Sequence, residues 1–168
     1  LRVTVTANGT ADTAEQRIGI RTIQVSSKTG LLLNGQPRTM KGGCIHHDLG
    51  ILGSADHAAA ERRRIRLMKE SGFDAIRAAH NPFGPAFLDA CDELGMLVVE
   101  EAFDEWVMGR TSFGLHVTFE QCWEKDLEDM ITRDYNHPCI VMWSTGNEVE
   151  ERDGTADGFA WAKRLASK

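Results

Sequence analysis

The stretch that decides the fold runs from Phe73 to Glu101. Phe73-Asp74-Ala75-Ile76-Arg77-Ala78 is a short apolar run, His80-Asn81-Pro82 breaks it, and Met96-Leu97-Val98-Val99-Glu100 is apolar again. Between them, Pro85 predicts a helix start and Gly95 its end. A proline suits the first helical turn because its missing N–H has no intrahelical partner there, and a glycine closes a helix in the left-handed conformation. The two apolar runs do not alternate with polar residues. Both faces of each strand are therefore expected to be covered, as in a parallel sheet under helices.

The pattern repeats on either side. Toward the N-terminus, Met40 to Ile45 is an apolar run, and Asp56 to Glu70 reads as a helix with Ile65, Leu67 and Met68 on one side and Ser71-Gly72 at its end. Toward the C-terminus, Thr118 is placed as the N-cap of a longer helix whose Glu120 and Glu124 suit its positive end. His137-Pro138 ends that helix, Cys139-Ile140-Val141-Met142-Trp143 is a fourth buried strand, and a last helix spans about Asp157 to Ala166. Four β-then-α units make an α/β fold, closed either as a doubly wound sheet or as an eightfold barrel. Gly42-Gly43 lies inside the first strand and does not match the glycine pattern of a dinucleotide loop. What recurs instead is a polar cluster at each strand's C-terminal end: His46, His47 and Asp48; His80 and Asn81; Glu100 and Glu101; Asn147 and Glu148. In a barrel that rim carries the chemistry. The expected fold is the first half of a (β/α)8 TIM barrel, in a chain that reads as a fragment.

The first 25 or so residues read differently. Arg2 to Thr6 and Arg17 to Val25 alternate with period two, and Asn8-Gly9 is a turn signal. Leu31-Leu32-Leu33, Asn34-Gly35 and Gln36 to Thr39 predict a second short hairpin. Residues 1–27 are expected to be terminal strands of a β-sandwich domain and residues 28–168 the barrel half. Leu1 is not a methionine, and no basic-then-apolar leader follows it.

Composition bounds the partners. The 168 residues carry 19 Lys and Arg against 25 Asp and Glu, a formal charge of −6, which argues against nucleic acid or an anionic membrane surface. With 42% hydrophobic and 26% charged residues the chain is of ordinary globular composition, and charges interrupt every apolar run well short of a membrane span. Cys44, Cys91, Cys122 and Cys139 contain no C-x-x-C pair; they read as small buried hydrophobes and favour a reducing compartment. Cytoplasm and periplasm both stay open.

The rim residues carry a resemblance. Trp143-Ser144-Thr145-Gly146-Asn147-Glu148, preceded by Arg133-Asp134-Tyr135-Asn136-His137-Pro138, resembles the acid/base signature of glycoside hydrolase family 2, which holds β-galactosidases, β-glucuronidases and β-mannosidases. Gly42 to Asp48, Ile76 to Pro82, and Leu88 to Ala102 resemble the family's first rim, its second rim, and its second helix with third strand. Arg17 to Val25 resembles the last strand of the family's immunoglobulin-like domain. The resemblance implies a retaining glycosidase of β-galactosidase type. Glu148 is then the general acid/base, and Asn147 the residue that binds the sugar 2-hydroxyl. His47, His80 and Asn81 are sugar-binding rim residues, and Arg77 a barrel arginine that orients carboxylates such as Glu101 or Glu148. It places the nucleophilic glutamate on a later strand beyond Lys168, so the fragment alone is expected to be inactive. Glu105 aligns with a magnesium ligand of some members, but the histidine expected two residues on is Val107, so no metal or other cofactor is predicted. The implied partners are a carbohydrate substrate and the remainder of the polypeptide, with a homo-oligomer left open. The same residues admit two other readings: a metal-dependent barrel hydrolase using His46, His47, Asp48 and His80, and a non-catalytic carbohydrate-binding scaffold.

Overall fold

The computed structural model describes residues 1–154 and 156–167. The chain opens with an antiparallel hairpin, β1 (Arg2–Ala7) and β2 (Thr10–Glu15), turned by Asn8 and Gly9 at φ 50° and 77°. Every residue of both strands is exposed. The alternation of Arg17 to Val25 predicts one strand, but only β3 (Ile23–Ser26) forms. The residues before it run as a strap over the next layer, where Arg17 pairs with Glu93 (3.1 Å) and Arg21 Nε donates to the Ile140 carbonyl (3.0 Å). These tertiary contacts take the place of a strand ladder. β3 pairs instead with β4 (Gly30–Leu33), which pairs with β5 (Gln36–Pro37) across Asn34-Gly35.

From Gly42 the β-then-α order begins: β6 (Gly42–Ile45), α1 (Ala58–Glu70), β7 (Ala75–Ala78), α2 (Pro85–Leu94), β8 (Leu97–Glu101), α3 (Phe119–Asp134), β9 (Ile140–Ser144) and α4 (Ala156–Ala166). The four strands form one sheet in the order β6-β7-β8-β9, all parallel. Sequential order without reversal is that of a barrel wall; a doubly wound sheet changes direction at its switch point. Pro85 sits in the first turn of α2 and Gly95 ends it in the left-handed conformation, as their chemistry requires. Thr118 precedes α3, but its hydroxyl is turned to the Leu115 carbonyl (3.4 Å) and makes no capping bond to the helix.

Two cores cover the outer face of the sheet. Ile65, Ile76, Ala78, Phe83, Phe87, Leu88, Met96, Val98 and Ile140 fill the space beneath α1 and α2, and Phe103, Trp106, Phe119, Trp123, Leu127 and Leu165 fill that between the β8 end, α3 and α4. Each such fully buried Phe or Leu is worth about 1.5–3 kcal/mol over leaving it in water. Cys91 and Cys139 are buried as expected, Cys122 is half-buried, and Cys44 departs from that pattern by lying exposed on the inner face. No helix among the described residues is long and apolar enough to cross a membrane.

Candidate active site

The pleat sorts the strand ends. Cys44 lies opposite Arg77 in the β6–β7 register, and the Arg77 guanidinium donates to the Cys44 sulfur (3.6 Å), so both face inward. Ile45 and Ala78, one residue on, belong to the outer core. Period two then puts His46 with Cys44 and His47 with Ile45. That is what the rings do. His46 meets His80 edge-on at 4.9 Å between centroids, whereas His47 stacks on Phe83 at 4.0 Å and its Nε2 bonds the Asn81 carbonyl (3.2 Å). The structure thus brings His46, not His47, to the inner rim. Asn81 lies exposed, offering its backbone to His47 and lining a separate hollow of about 320 Å³ with Phe103 and Arg133. Arg64 of α1 pins the loop after β6 by donating to the carbonyls of His46 (3.1 Å) and Asp48 (3.3 Å).

Glu101, at the end of β8, is the hub. Its side chain is 1% exposed and accepts from Arg77 through both Nε (3.2 Å) and NH2 (2.7 Å), from His80 Nδ1 (2.9 Å) and from Ser144 Oγ (2.7 Å). A carboxylate taken out of water is tolerable only when its lone pairs are met in this way. Arg77 also donates to Asn147 Oδ1 (2.8 Å), which turns the amide nitrogen of Asn147 onto Asp104 Oδ1 (3.2 Å). Arg77, His80 and Asn147 are therefore gathered in one array with Glu101, which the sequence offered as a rim residue and a partner of Arg77. Asn147 is itself 5% exposed, and its amide donates to the Phe103 carbonyl (2.9 Å). The turn before it needs Gly146, because a Cβ there would lie 2.6 Å from the Trp106 indole nitrogen, which bonds the Thr145 carbonyl (2.8 Å).

Glu148 follows Asn147 with φ at 42°, in the left-handed region that non-glycine residues seldom occupy. Its side chain is 69% exposed at the lip and reaches Arg110, with NH1 3.6 Å from Oε2. Sequence reading did not find Arg110, which sits in the loop between β8 and α3, where no periodicity exists to mark it. Glu105 of that loop is buried and accepts the amides of Arg110 (2.9 Å) and His116 (3.1 Å) and the His116 ring (2.9 Å). Burial alone works against its charge, but those three donors outweigh it and hold the carboxyl down at about 2. A divalent cation on Glu105 would have to compete with these donors. Three donors already take up most of the lone pairs of Glu105, and Val107 offers no ligand atom.

Glu100 points the other way. It is fully buried, accepts the Phe83 amide through Oε1 (2.8 Å), and leaves Oε2 without a partner among the described residues. Burial pushes its carboxyl up to about 8 against the pull of that amide, with Asp134 adding to the rise and Arg133 and His137 opposing it. A carboxyl raised in the folded state helps folding at low pH and loses that help as pH climbs from 4.5 toward 8. Glu100→Gln keeps the acceptor for Phe83 without the charge. In the full-length protein it should therefore gain on the wild type by about 3 kcal/mol between pH 5 and pH 8, read as thermal stability of the barrel domain. Parallel stability–pH curves for the two would contradict this assignment.

At the opposite end of the strands, ligand atoms of Asp92, His137 and Cys139 lie within 4.8 Å of one another. They are already paired: Asp92 accepts the His137 ring (2.7 Å) and the Cys139 amide (2.9 Å), and burial holds the Cys139 thiol far above its ordinary value. They clasp the start of β9 to the end of α2, beside a hollow of about 490 Å³ under the Glu15–Ile18 strap.

The chain resembles known proteins in sequence and fold. A family model described as Glycosyl hydrolases family 2, TIM barrel domain, matches residues 23–167. β-Galactosidase BoGH2A of Bacteroides ovatus is 44% identical over 142 residues, covering 83% of this chain and 17% of that protein. The crystal structure of a glycosyl hydrolase family 2 member from Bacteroides cellulosilyticus superposes with a TM-score of 0.93 at 42% identity, over 99% of this chain and 22% of that one. A β-glucuronidase from Ruminococcus gnavus, solved with D-glucaro 1,5-lactone, gives 0.82 at 28% identity, over 99% and 28%. The chain spans between 17% and 28% of the length of these proteins. The inward-facing array at the ends of four sequential parallel strands and the match over residues 23–167 agree: the chain belongs to the glycosyl hydrolases of family 2, within their TIM barrel domain.

Proposed function

We propose that the full-length protein carrying this chain is a retaining glycosidase that removes terminal β-galactosyl units, with Glu148 as its general acid/base. The observation that carries the reading is the placement of Glu148 at the lip of β9, directly after an Asn147 locked between Arg77 and Asp104. In the first half-reaction the Glu148 carboxyl protonates the departing glycosidic oxygen; in the second, the resulting carboxylate takes a proton from the attacking water. His80 spends Nδ1 on Glu101, which leaves Nε2 for a sugar hydroxyl. The nucleophile must stand about 5–5.5 Å from the acid/base. Glu101 is wholly engaged, and Asp104 is bonded by Arg110 and Asn147, so this reading takes the nucleophile from a barrel strand outside the chain. The exposed β1–β2 pair is read as part of a neighbouring β-sandwich, since two strands alone are marginal in water.

Hydrolysis of nitrophenyl β-galactoside, β-glucuronide and β-mannoside by the full-length protein tests the substrate. The galactoside should lead in kcat/KM by about tenfold or more. A leading glucuronide rate would transfer the assignment to the activity named for the Ruminococcus gnavus relative.

A further inference from the structure

Resting on the acid/base reading of Glu148, we infer that Arg110 is its positioning residue: a loop clasped on Glu105 holds the Arg110 guanidinium between Asp104 and Glu148 and so fixes the carboxyl at the mouth. Arg110 is anchored at three points before it reaches Glu148. Its amide donates to Glu105 Oε2 (2.9 Å), and its NH2 donates to both the Asp104 carbonyl (2.6 Å) and Asp104 Oδ1 (2.6 Å). Glu105 in turn is fixed by His116 and by the absence of a side chain at Gly114, where a Cβ would collide with Oε1. NH1, on the other arm of the planar fork, then faces Glu148 Oε2 at 3.6 Å. Asp104 Oδ1 also accepts the Asn147 amide, so the acid/base and the residue beside it are tied to one guanidinium–carboxylate unit.

The unit matters because Arg110 is the one described charged partner of Glu148, whose side chain is 69% exposed on a left-handed residue. An exposed ion pair contributes little to folding. Its effect on rate is another matter, because a reacting group displaced by about an ångström can cost orders of magnitude. The same cation faces the anion that Glu148 becomes after giving up its proton, so one contact serves both half-reactions. It also supplies a fixed positive charge at a place where Val107 offers a metal ion no ligand atom.

The test uses the full-length protein and two substrates that differ in their need for a proton. Phenyl β-galactoside has a poor leaving group, and 2,4-dinitrophenyl β-galactoside a good one. Arg110→Met should lower kcat/KM for the phenyl substrate about tenfold and for the dinitrophenyl substrate less than about twofold. Arg110→Lys should recover part of the loss, and EDTA should leave the wild-type ratio of the two rates unchanged. An equal fall on both substrates, no fall on either, or restoration of Arg110→Met by magnesium to the wild-type ratio would each overturn the role. Glu148→Gln, measured on the same pair, separates the two failures. If it too shows no leaving-group selectivity, the acid/base reading fails and takes this inference with it. If it shows selectivity and Arg110→Met does not, only Arg110 is misassigned.

Discussion

Glu148→Gln in the full-length protein should lower kcat/KM for phenyl β-galactoside about 10²–10⁴-fold, the usual yield of a placed general acid and the effect expected under the proposed role. The glutamine is isosteric and offers an amide where a proton is needed, so sugar binding is preserved while protonation of the leaving oxygen is lost. The fall is expected to be small for 2,4-dinitrophenyl β-galactoside, whose leaving group departs without help. For that substrate the second half-reaction becomes slow instead, because no base remains to deprotonate water, and kcat and KM should drop together as the glycosyl-enzyme accumulates. Azide needs no base. It should restore turnover of the dinitrophenyl substrate and release the β-glycosyl azide, which reports retention as well as the role of Glu148. Stability should hardly move, since the side chain is exposed and its one described ion pair, to Arg110, is long at 3.6 Å. Unchanged turnover of the phenyl substrate would remove the acid/base assignment outright.

Much of the barrel half was readable because local chemistry and tertiary structure agree there. Pro85 and Gly95 bound α2 in the sequence and in the structure, and the apolar run before Glu100 becomes β8. Arg77 on a buried strand required a carboxylate, and it has Glu101. The misreadings share one physical origin, which is information held in neighbouring elements. Alternation in Arg17 to Val25 is a property of the chain, but whether a ladder forms depends on an adjacent strand, and here Glu93 and the Ile140 carbonyl claim that segment. His46 and His47 differ by one residue, and one residue selects the face. The Cys44–Arg77 register decides which of them looks inward, and register is set by β7. Arg110 and Ser144 left no local trace. Each matters through a carboxylate far along the chain, Glu148 for one and Glu101 for the other.

Arg77→Met should destabilise the full-length protein's barrel domain by about 3–5 kcal/mol, the cost of leaving a buried carboxylate without its cation. The Glu101 side chain is 1% exposed, and Ser144 and the His80 ring supply hydrogen bonds but not the fixed charge of a forked guanidinium. The consequence extends to binding, because the same NH2 fixes Asn147 Oδ1. With that bond gone Asp104 alone holds the Asn147 amide, so the carboxamide loses one of its two side-chain anchors. A double-mutant cycle isolates the term. Adding Glu101→Gln to Arg77→Met removes the stranded charge, so the double variant should recover about 2 kcal/mol or more relative to Arg77→Met alone. Catalysis should not recover with it, since Asn147 still lacks Arg77 and His80 now lacks the Glu101 carboxylate. If the two substitutions simply add in urea unfolding, Glu101 was not relying on Arg77 for its charge, and the hub described at the end of β8 is an ordinary polar cluster.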